Sequence, residues 1–434
     1  MANLRPALAC YCLLAALAVA PQAHAQLLDQ FISPFIGGVA NDPGVTVLSR
    51  QRNDYEAGGV RVGSFIVRPR LTESTGYESN VLGRSRASGS GLLETNAALS
   101  ATSDVSRASL TGMAVVDNVK YFDLPNQSYT NWSARVGGSY DIGRDTVSVQ
   151  LSHENLTQTL RDLDVPLLTV PLGFTIDTAR VDYRAMFNRL SVTPSFEFSH
   201  YVYDSGLTGP AVFPQNYRNR VLFTPSLTLA YEFSPRRSAV LVLRNTNAVY
   251  ANASQGLPRR NYDDYAALAG IDYDLSGLLR LRALVGYESR QFSSATYGTI
   301  EAPIAEATLI WTPTGLTTVT AGVARRIQDS AEETTAGVTA TSARLRVDHE
   351  YLRNVLFAAS AGVTKNDYRT GGNQVLYTAG AGATYLLNRN IGLTGTYDFI
   401  ARTSSANTGL NWSGLALGSD YVDHRILLQL RLSL

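Results

Sequence analysis

The sequence predicts an all-β protein: a transmembrane, antiparallel, up-and-down β-barrel of about 18 strands, with short periplasmic turns and longer extracellular loops. Three observations predict it. Segments in which apolar and polar residues alternate with period two recur along most of the chain. Tight polar turns recur at regular spacing, and longer connections separate them. After residue 25, no apolar run is long enough for a membrane-spanning helix.

The opening residues read as a targeting segment. Arg5 supplies a positive n-region, Leu8 to Ala20 are apolar, and Ala23-His24-Ala25 is a small-x-small cleavage site. Residues 1–25 are therefore expected to be a signal peptide, cut before Gln26. A membrane anchor is the alternative, but the apolar run is short for a span. Both cysteines, Cys10 and Cys12, lie in this segment, so the rest of the chain offers no disulfide, thiolate metal site or thiol nucleophile. Residues 26–61 are rich in Gly and Pro and form an irregular lead-in. The sequence leaves open whether it stays periplasmic or folds into the barrel mouth. Residues 62–434 are assigned to the barrel.

Charge excludes one class of partner. The chain has 37 Lys+Arg and 36 Asp+Glu, a near balance that gives no basic excess to neutralise phosphates, so no nucleic acid is expected. Only Lys120 and Lys365 are lysines. Nearly every cation is an arginine, whose planar fork suits pairing with carboxylates in a confined bore.

Each repeat unit is a hairpin. A strand ends on an aromatic residue, a short turn follows, and the next strand resumes the alternation. Tyr140-Asp-Ile-Gly-Arg144, Phe233-Ser-Pro-Arg236 and Trp311-Thr-Pro-Thr-Gly315 are clear examples, with residue types suited to tight reversals. The predicted strand cores are 62–77, 91–103, 107–122, 128–141, 145–160, 175–187, 190–205, 218–233, 237–251, 260–274, 277–292, 298–312, 316–329, 339–352, 354–369, 374–387, 390–402 and 421–433. A β-solenoid would also be periodic, but with shorter periods and no alternation of short and long connections. The last segment shows the alternation best. Ile426, Leu428, Leu430, Leu432 and Leu434 share one, fully apolar face; Arg425, Leu427, Gln429, Arg431 and Ser433 share the other, mostly polar one.

Parity separates lipid from lumen. An arginine facing mid-membrane lipid costs roughly 2–4 kcal/mol, so the charged parity is assigned to the bore. Candidate pore-lining residues are Arg68, Arg70, Glu197, Arg280, Arg282, Glu288, Arg290, Arg344, Arg346, Asp348, Glu350, Asp398, Arg425 and Arg431. Two roles compete for them: a salt-bridge lattice that stiffens the wall, or a transverse field that selects solutes. Tyr140, Phe187, Tyr231, Phe233, Tyr273, Trp311, Tyr351 and Tyr385 precede tight turns and read as one aromatic girdle. Tyr77, Tyr121, Tyr203, Tyr250, Phe292, Tyr297, Tyr368 and Tyr377 lie near the long loops and read as the second. Tyr201 and Tyr203, on the polar parity, are candidates for stacking against sugars. His153, His200, His349 and His424 show no metal-ligand spacing. No nucleophile elbow or phosphate loop is present. No catalytic residue, metal or cofactor is assigned.

The stretch Val45-Thr-Val-Leu-Ser-Arg50, followed by Tyr55, Gly58, Gly59, Val60-Arg-Val-Gly-Ser-Phe65, Pro69, Tyr77 and Asn80, resembles the opening of the β-barrel porin 2 family of Gram-negative outer-membrane proteins. The hairpin repeat is similar from there onward. Leu434 stands where Phe is frequent in such barrels. The resemblance implies an outer-membrane barrel inserted by the barrel-assembly machinery, surrounded by outer-membrane lipids and without enzymatic activity. It also implies a channel for hydrophilic solutes or polymer, with exopolysaccharide export as one specific form. The alternative is a non-transporting structural or anchoring barrel whose outer loops bind a partner.

Overall fold

The structure is a computed structural model. It describes residues 46–50, 52, 54–105, 107–166, 168–208, 211–254, 256–275, 277–369, 371–405 and 418–434. The leader at 1–25 and most of the lead-in lie outside the described residues.

Eighteen long strands form one closed antiparallel sheet. In chain order they are β1 (Phe65–Glu78), β2 (Ser90–Val105), β3 (Ala108–Tyr121), β4 (Tyr129–Ile142), β5 (Asp145–Gln158), β6 (Leu172–Phe187), β7 (Leu190–Tyr203), β8 (Arg220–Ser234) and β9 (Arg237–Tyr250). The ring continues with β10 (Tyr262–Leu275), β11 (Leu279–Phe292), β12 (Thr299–Thr314), β13 (Thr317–Asp329), β14 (Gly337–Leu352), β15 (Val355–Tyr368), β16 (Asn373–Leu386), β17 (Ile391–Ser404) and β18 (Tyr421–Ser433). Every strand falls on one of the predicted cores. Each pairs with its sequence neighbours, and β18 closes on β1 from Arg70↔Ser433 to Glu78↔Arg425.

The strand edges explain the closure. Below Arg70, β1 extends past the end of β18. There the short strand Val60–Val62 pairs with it, Val60↔Val67 to Val62↔Phe65, and covers the edge. The connectors at this rim are tight. The reversal at Phe187-Asn188-Arg189-Leu190 needs a left-handed residue, which Asn188 supplies at φ 54°; Gly143 does the same at φ 70° after β4. At the opposite rim the connections include residues 79–89, 159–171, 204–219 and 405–420. Gly206–Thr208 and Ala211–Phe213 form a small hairpin within one of them.

The two faces differ as alternation requires. In β18, Val422, Ile426, Leu428 and Leu430 are exposed, whereas Asp423, Arg425, Leu427 and Gln429 are buried within the ring. Tyr140, Phe187, Phe233, Trp311, Tyr351 and Tyr385 stand exposed on the outer wall near the tight turns. The second girdle needs correction. Tyr77 and Tyr377 are exposed outside, but Tyr121, Tyr203, Tyr250, Tyr297 and Tyr368 are buried within the barrel. Proximity to the long loops fixed their height, while parity turned them inward. Outer-wall aromatics at this rim are instead Tyr77, Trp132, Tyr265, Tyr287, Tyr377 and Tyr397.

Leu428 is 60% exposed on the middle of β18. In urea titrations of the barrel refolded into bilayers, Leu428→Arg is expected to lose roughly 2–4 kcal/mol. Thr111→Arg, on the inner parity of β3, is expected to lose much less.

Candidate pore and its constriction

The inner parity carries the charges. All fourteen sequence candidates project from that parity. Most are held in ion pairs. Arg180 pairs with Asp182 at 2.9 Å and with Glu197 at 3.0 Å. Arg290 pairs with Asp264 at 2.8 Å and Asp329 at 2.9 Å, and Glu288 lies 3.8 Å from it and 3.9 Å from Arg244. Arg346 meets Asp348 at 2.8 Å, and Arg280 meets Asp274 at 3.4 Å. Arg425 binds Glu94 and lies 3.8 Å from Glu78, with Asp398 opposite it in register. Arg282 is buried on β11, and Arg344 stands on β14. Arg431 stands beside Gly392, whose missing side chain leaves room for the guanidinium. Arg70 stands on β1, and Arg68 is exposed near the tight-turn rim, donating to the Thr102 hydroxyl at 3.3 Å.

Part of the lead-in enters this rim. Val47 is buried, and its N–H donates to the Thr318 hydroxyl at 2.9 Å. Arg52 donates to Glu350 at 2.8 Å and to the Val47 carbonyl at 2.6 Å, and Arg50 reaches Glu350 at 3.4 Å. Residues 46–50 and Arg52 therefore occupy the bore's tight-turn mouth.

The β5–β6 connection narrows the bore. Residues 159–166 are all buried, although they join two strands. The segment crosses from β5 and β6 to strands half-way round the ring. Arg161 binds Glu78 and Asp423, the latter at 3.2 Å, and donates to the Tyr121 hydroxyl at 3.4 Å. Asp423 also accepts from Ser79 Oγ at 2.9 Å and the Asn80 N–H at 2.8 Å. Arg402 on β17 donates to the Leu160, Arg161 and Asp162 carbonyls at 3.3, 3.4 and 2.8 Å. Tyr421 donates to the Arg161 carbonyl at 2.7 Å. On the far wall, the Asp164 N–H donates to Gln374 Oε1 at 2.9 Å. The Asp164 carboxylate accepts from Ser330, the Ala331 N–H and Tyr368.

Apolar side chains fix the same loop at both ends. Leu160 and Leu168 pack with Leu156, Leu172, Phe174 and Ile176; Leu163 packs with Leu376, Ile400 and Tyr421. Removing one partner from a buried ion pair costs about 3–5 kcal/mol; Arg161 braces the constriction through such pairs, and Arg402 through its bonds to the loop carbonyls. The sequence reading treated the segment as an ordinary loop. Its signal was composition: Leu160, Leu163, Val165, Leu167 and Leu168 are too apolar for a solvent-facing connection.

Tyr201 and Tyr203 are unavailable for sugar stacking. Arg220 lies 4.1 Å over the Tyr201 ring and Arg218 lies 4.0 Å over the Tyr203 ring. Phe174 stacks on Tyr203 at 5.1 Å. The parity was inward as read, but neighbouring strands fill the ring faces. These arginines belong to a cavity of about 250 Å³ on the β7–β13 side of the bore.

A closed 18-strand barrel with an apolar outer wall and a charged bore narrowed by an inward loop defines an outer-membrane porin-type channel. The chain matches the family described as "Putative beta-barrel porin 2" over residues 52–432, and it belongs to that family. Among solved structures it is similar to OccK1 (OpdK) of Pseudomonas aeruginosa, with 11% identity, a TM-score of 0.44, and 85% of this chain and 99% of that chain covered. OccK2 (OpdF) of the same organism has 12% identity and a TM-score of 0.45, covering 85% and 98%. A BenF-like porin from Pseudomonas fluorescens Pf-5 has 11% identity and a TM-score of 0.45, covering 85% and 99%. No curated protein sequence matches the chain.

Two loop carboxyls make the constriction sensitive to pH. Burial pushes Asp162 up to about 7, against the Thr159 N–H that it accepts and the nearby Arg161. Burial pushes Asp164 up to about 6, against the Ala331 N–H, Arg218, Ser330 and Tyr368. Both groups have raised values when docked, so docking is favoured below the ordinary carboxylate range. That advantage is lost as pH rises through about 6 to 7. Single-channel conductance is therefore expected to rise across that window. The Asp162→Asn, Asp164→Asn double variant is expected to show no such step.

Proposed function

We propose that this barrel is a size-restricted aqueous channel for small hydrophilic solutes. The supporting observation is the braced loop at 159–166, which crosses the bore and leaves charged, water-compatible wall around it. Charges of both signs face the opening, so solutes meet a transverse field at the constriction. A solute must shed little water to pass, because the wall's arginines and carboxylates replace part of its hydration.

In this reading the long-loop rim faces outward and the tight turns face the periplasm. Residues 1–25 act as the cleaved leader. The segment around Val47 and Arg52 lies at the periplasmic mouth. Exopolysaccharide export would require a polymer to thread past the crossing loop, and no feature of the bore favours that route. No feature favours a purely anchoring barrel either.

Liposome swelling and planar-bilayer recordings test the proposal together. Monosaccharides are expected to enter wild-type proteoliposomes and long oligosaccharides to be excluded. Arg161→Ala leaves Asp423 without its cation and Glu78 with only the more distant Arg425, and is expected to raise conductance and admit larger sugars. Removal of residues 26–57 is expected to raise conductance while leaving the size limit in place. Correctly folded barrels that show no steps and no swelling in any of these forms would contradict a channel.

A further inference from the structure

Among the described residues, the longest lapse in the wall's ladders lies between β12 and β13; a shorter one lies between β4 and β5, where pairing begins at Trp132↔Asn155. The β12–β13 ladder begins only at Ala305↔Arg325 on the long-loop side. Among the described residues, Thr299–Ile304 of β12 pair only with β11, and Arg326–Asp329 of β13 pair only with β14. The neighbouring β11–β12 and β13–β14 ladders run on through these same residues. An open ladder facing hydrocarbon costs several kcal/mol per unsatisfied group, so its groups need other partners.

Side chains supply those partners. Pro303 has no N–H to offer, and its carbonyl accepts from Arg325 Nε at 3.1 Å. Arg325 is fixed in turn by the Thr341 hydroxyl at 2.7 Å. Across the seam, the Ile327 N–H donates to Glu288 at 3.3 Å, and its carbonyl accepts from Arg290 at 3.2 Å. Both of those side chains come from β11, so this edge of β13 is turned into the bore. Parting the seam therefore breaks side-chain contacts and leaves the backbone ladder intact.

The seam opens onto a lined space. The 250 Å³ cavity is lined by Ile304, Ala305 and residues 324–330, so it abuts the seam from the bore side. Its lining holds eight arginines against six carboxylates. Beside them lies an apolar patch unusual for a bore: Leu268, Leu284, Ile304, Val240 and Val242, all buried. A cationic excess next to an apolar patch fits a molecule with one anionic head and a short hydrocarbon tail.

We propose that the β12–β13 seam is a lateral portal, through which medium-chain carboxylates pass between the bore and the surrounding leaflet. The head is held at Arg244, a half-buried arginine of the lining that lies 3.9 Å from Glu288, and the tail lies along Ile304 and Leu268. The inference goes beyond the aqueous route, and a separate signal tests each: salt conductance reports the bore, and lipid-side labelling reports the wall.

The full chain, refolded in liposomes, is illuminated with a diazirine-bearing decanoate, and the adducts are mapped by mass spectrometry. Adducts are expected to concentrate at residues 299–305 and 325–329 and to be competed by plain decanoate. Pro303→Val restores an N–H at the seam and is expected to lower this labelling roughly fivefold, with KCl conductance unchanged. Adducts spread evenly around the outer wall, adducts that plain decanoate does not compete, or full labelling in Pro303→Val would overturn the proposal. If Pro303→Val fails to refold, the wild-type adduct map and its competition decide the question alone.

Discussion

Hydrocarbon offers the backbone no hydrogen-bond partner, and the whole structure follows from that constraint. A sheet in lipid must have no edge. The chain meets the requirement by pairing β18 with β1 and by covering the overhanging start of β1 with Val60–Val62. Closure then forces every strand to present one face to lipid and one to the bore. The apolar row Ile426, Leu428, Leu430 and Leu432 and the polar row Asp423, Arg425, Gln429 and Arg431 are two sides of the same ten residues. Where the ladder lapses, between β12 and β13, guanidinium and carboxylate groups take over the backbone's bonds.

The bore is governed by a different cost. Eighteen strands enclose more space than side chains fill, so the interior would be an open water channel without additional chain. The β5–β6 connection supplies it. Charges taken into that space are tolerated only in pairs, and Arg161 with Glu78 and Asp423 shows the pattern at full burial. Arg402 plays the complementary part by donating to the three successive carbonyls of Leu160, Arg161 and Asp162. In the proposed channel, the charges around the braced loop also set the field that a solute would cross. Structural and selective roles for these charges are therefore not alternatives, since a lattice rigid enough to stiffen the wall also fixes the field's geometry.

Strand number and placement were legible because period-two alternation is a local property. In β11, for example, Arg280, Arg282, Glu288 and Arg290 mark the inner face without reference to any neighbour. Features that depend on distant partners were not legible. Tyr121, Tyr250 and Tyr368 sit at the height of an aromatic belt, but their parity and the arginines of other strands draw them inward. The crossing loop announced itself only through its leucines, because its partners, Tyr368, Gln374 and Arg402, lie about two hundred residues away in sequence.

The central claim is that the two faces of each strand meet two different solvents. A single-cysteine scan of β18 tests it directly, in a chain relieved of Cys10 and Cys12 and refolded into bilayers. Water-soluble maleimide should label cysteines at 429, 431 and 433, and spin-labelled lipid should contact those at 426, 428, 430 and 432. Labelling that lacks this two-residue rhythm, or that reaches both sets equally, would contradict the account.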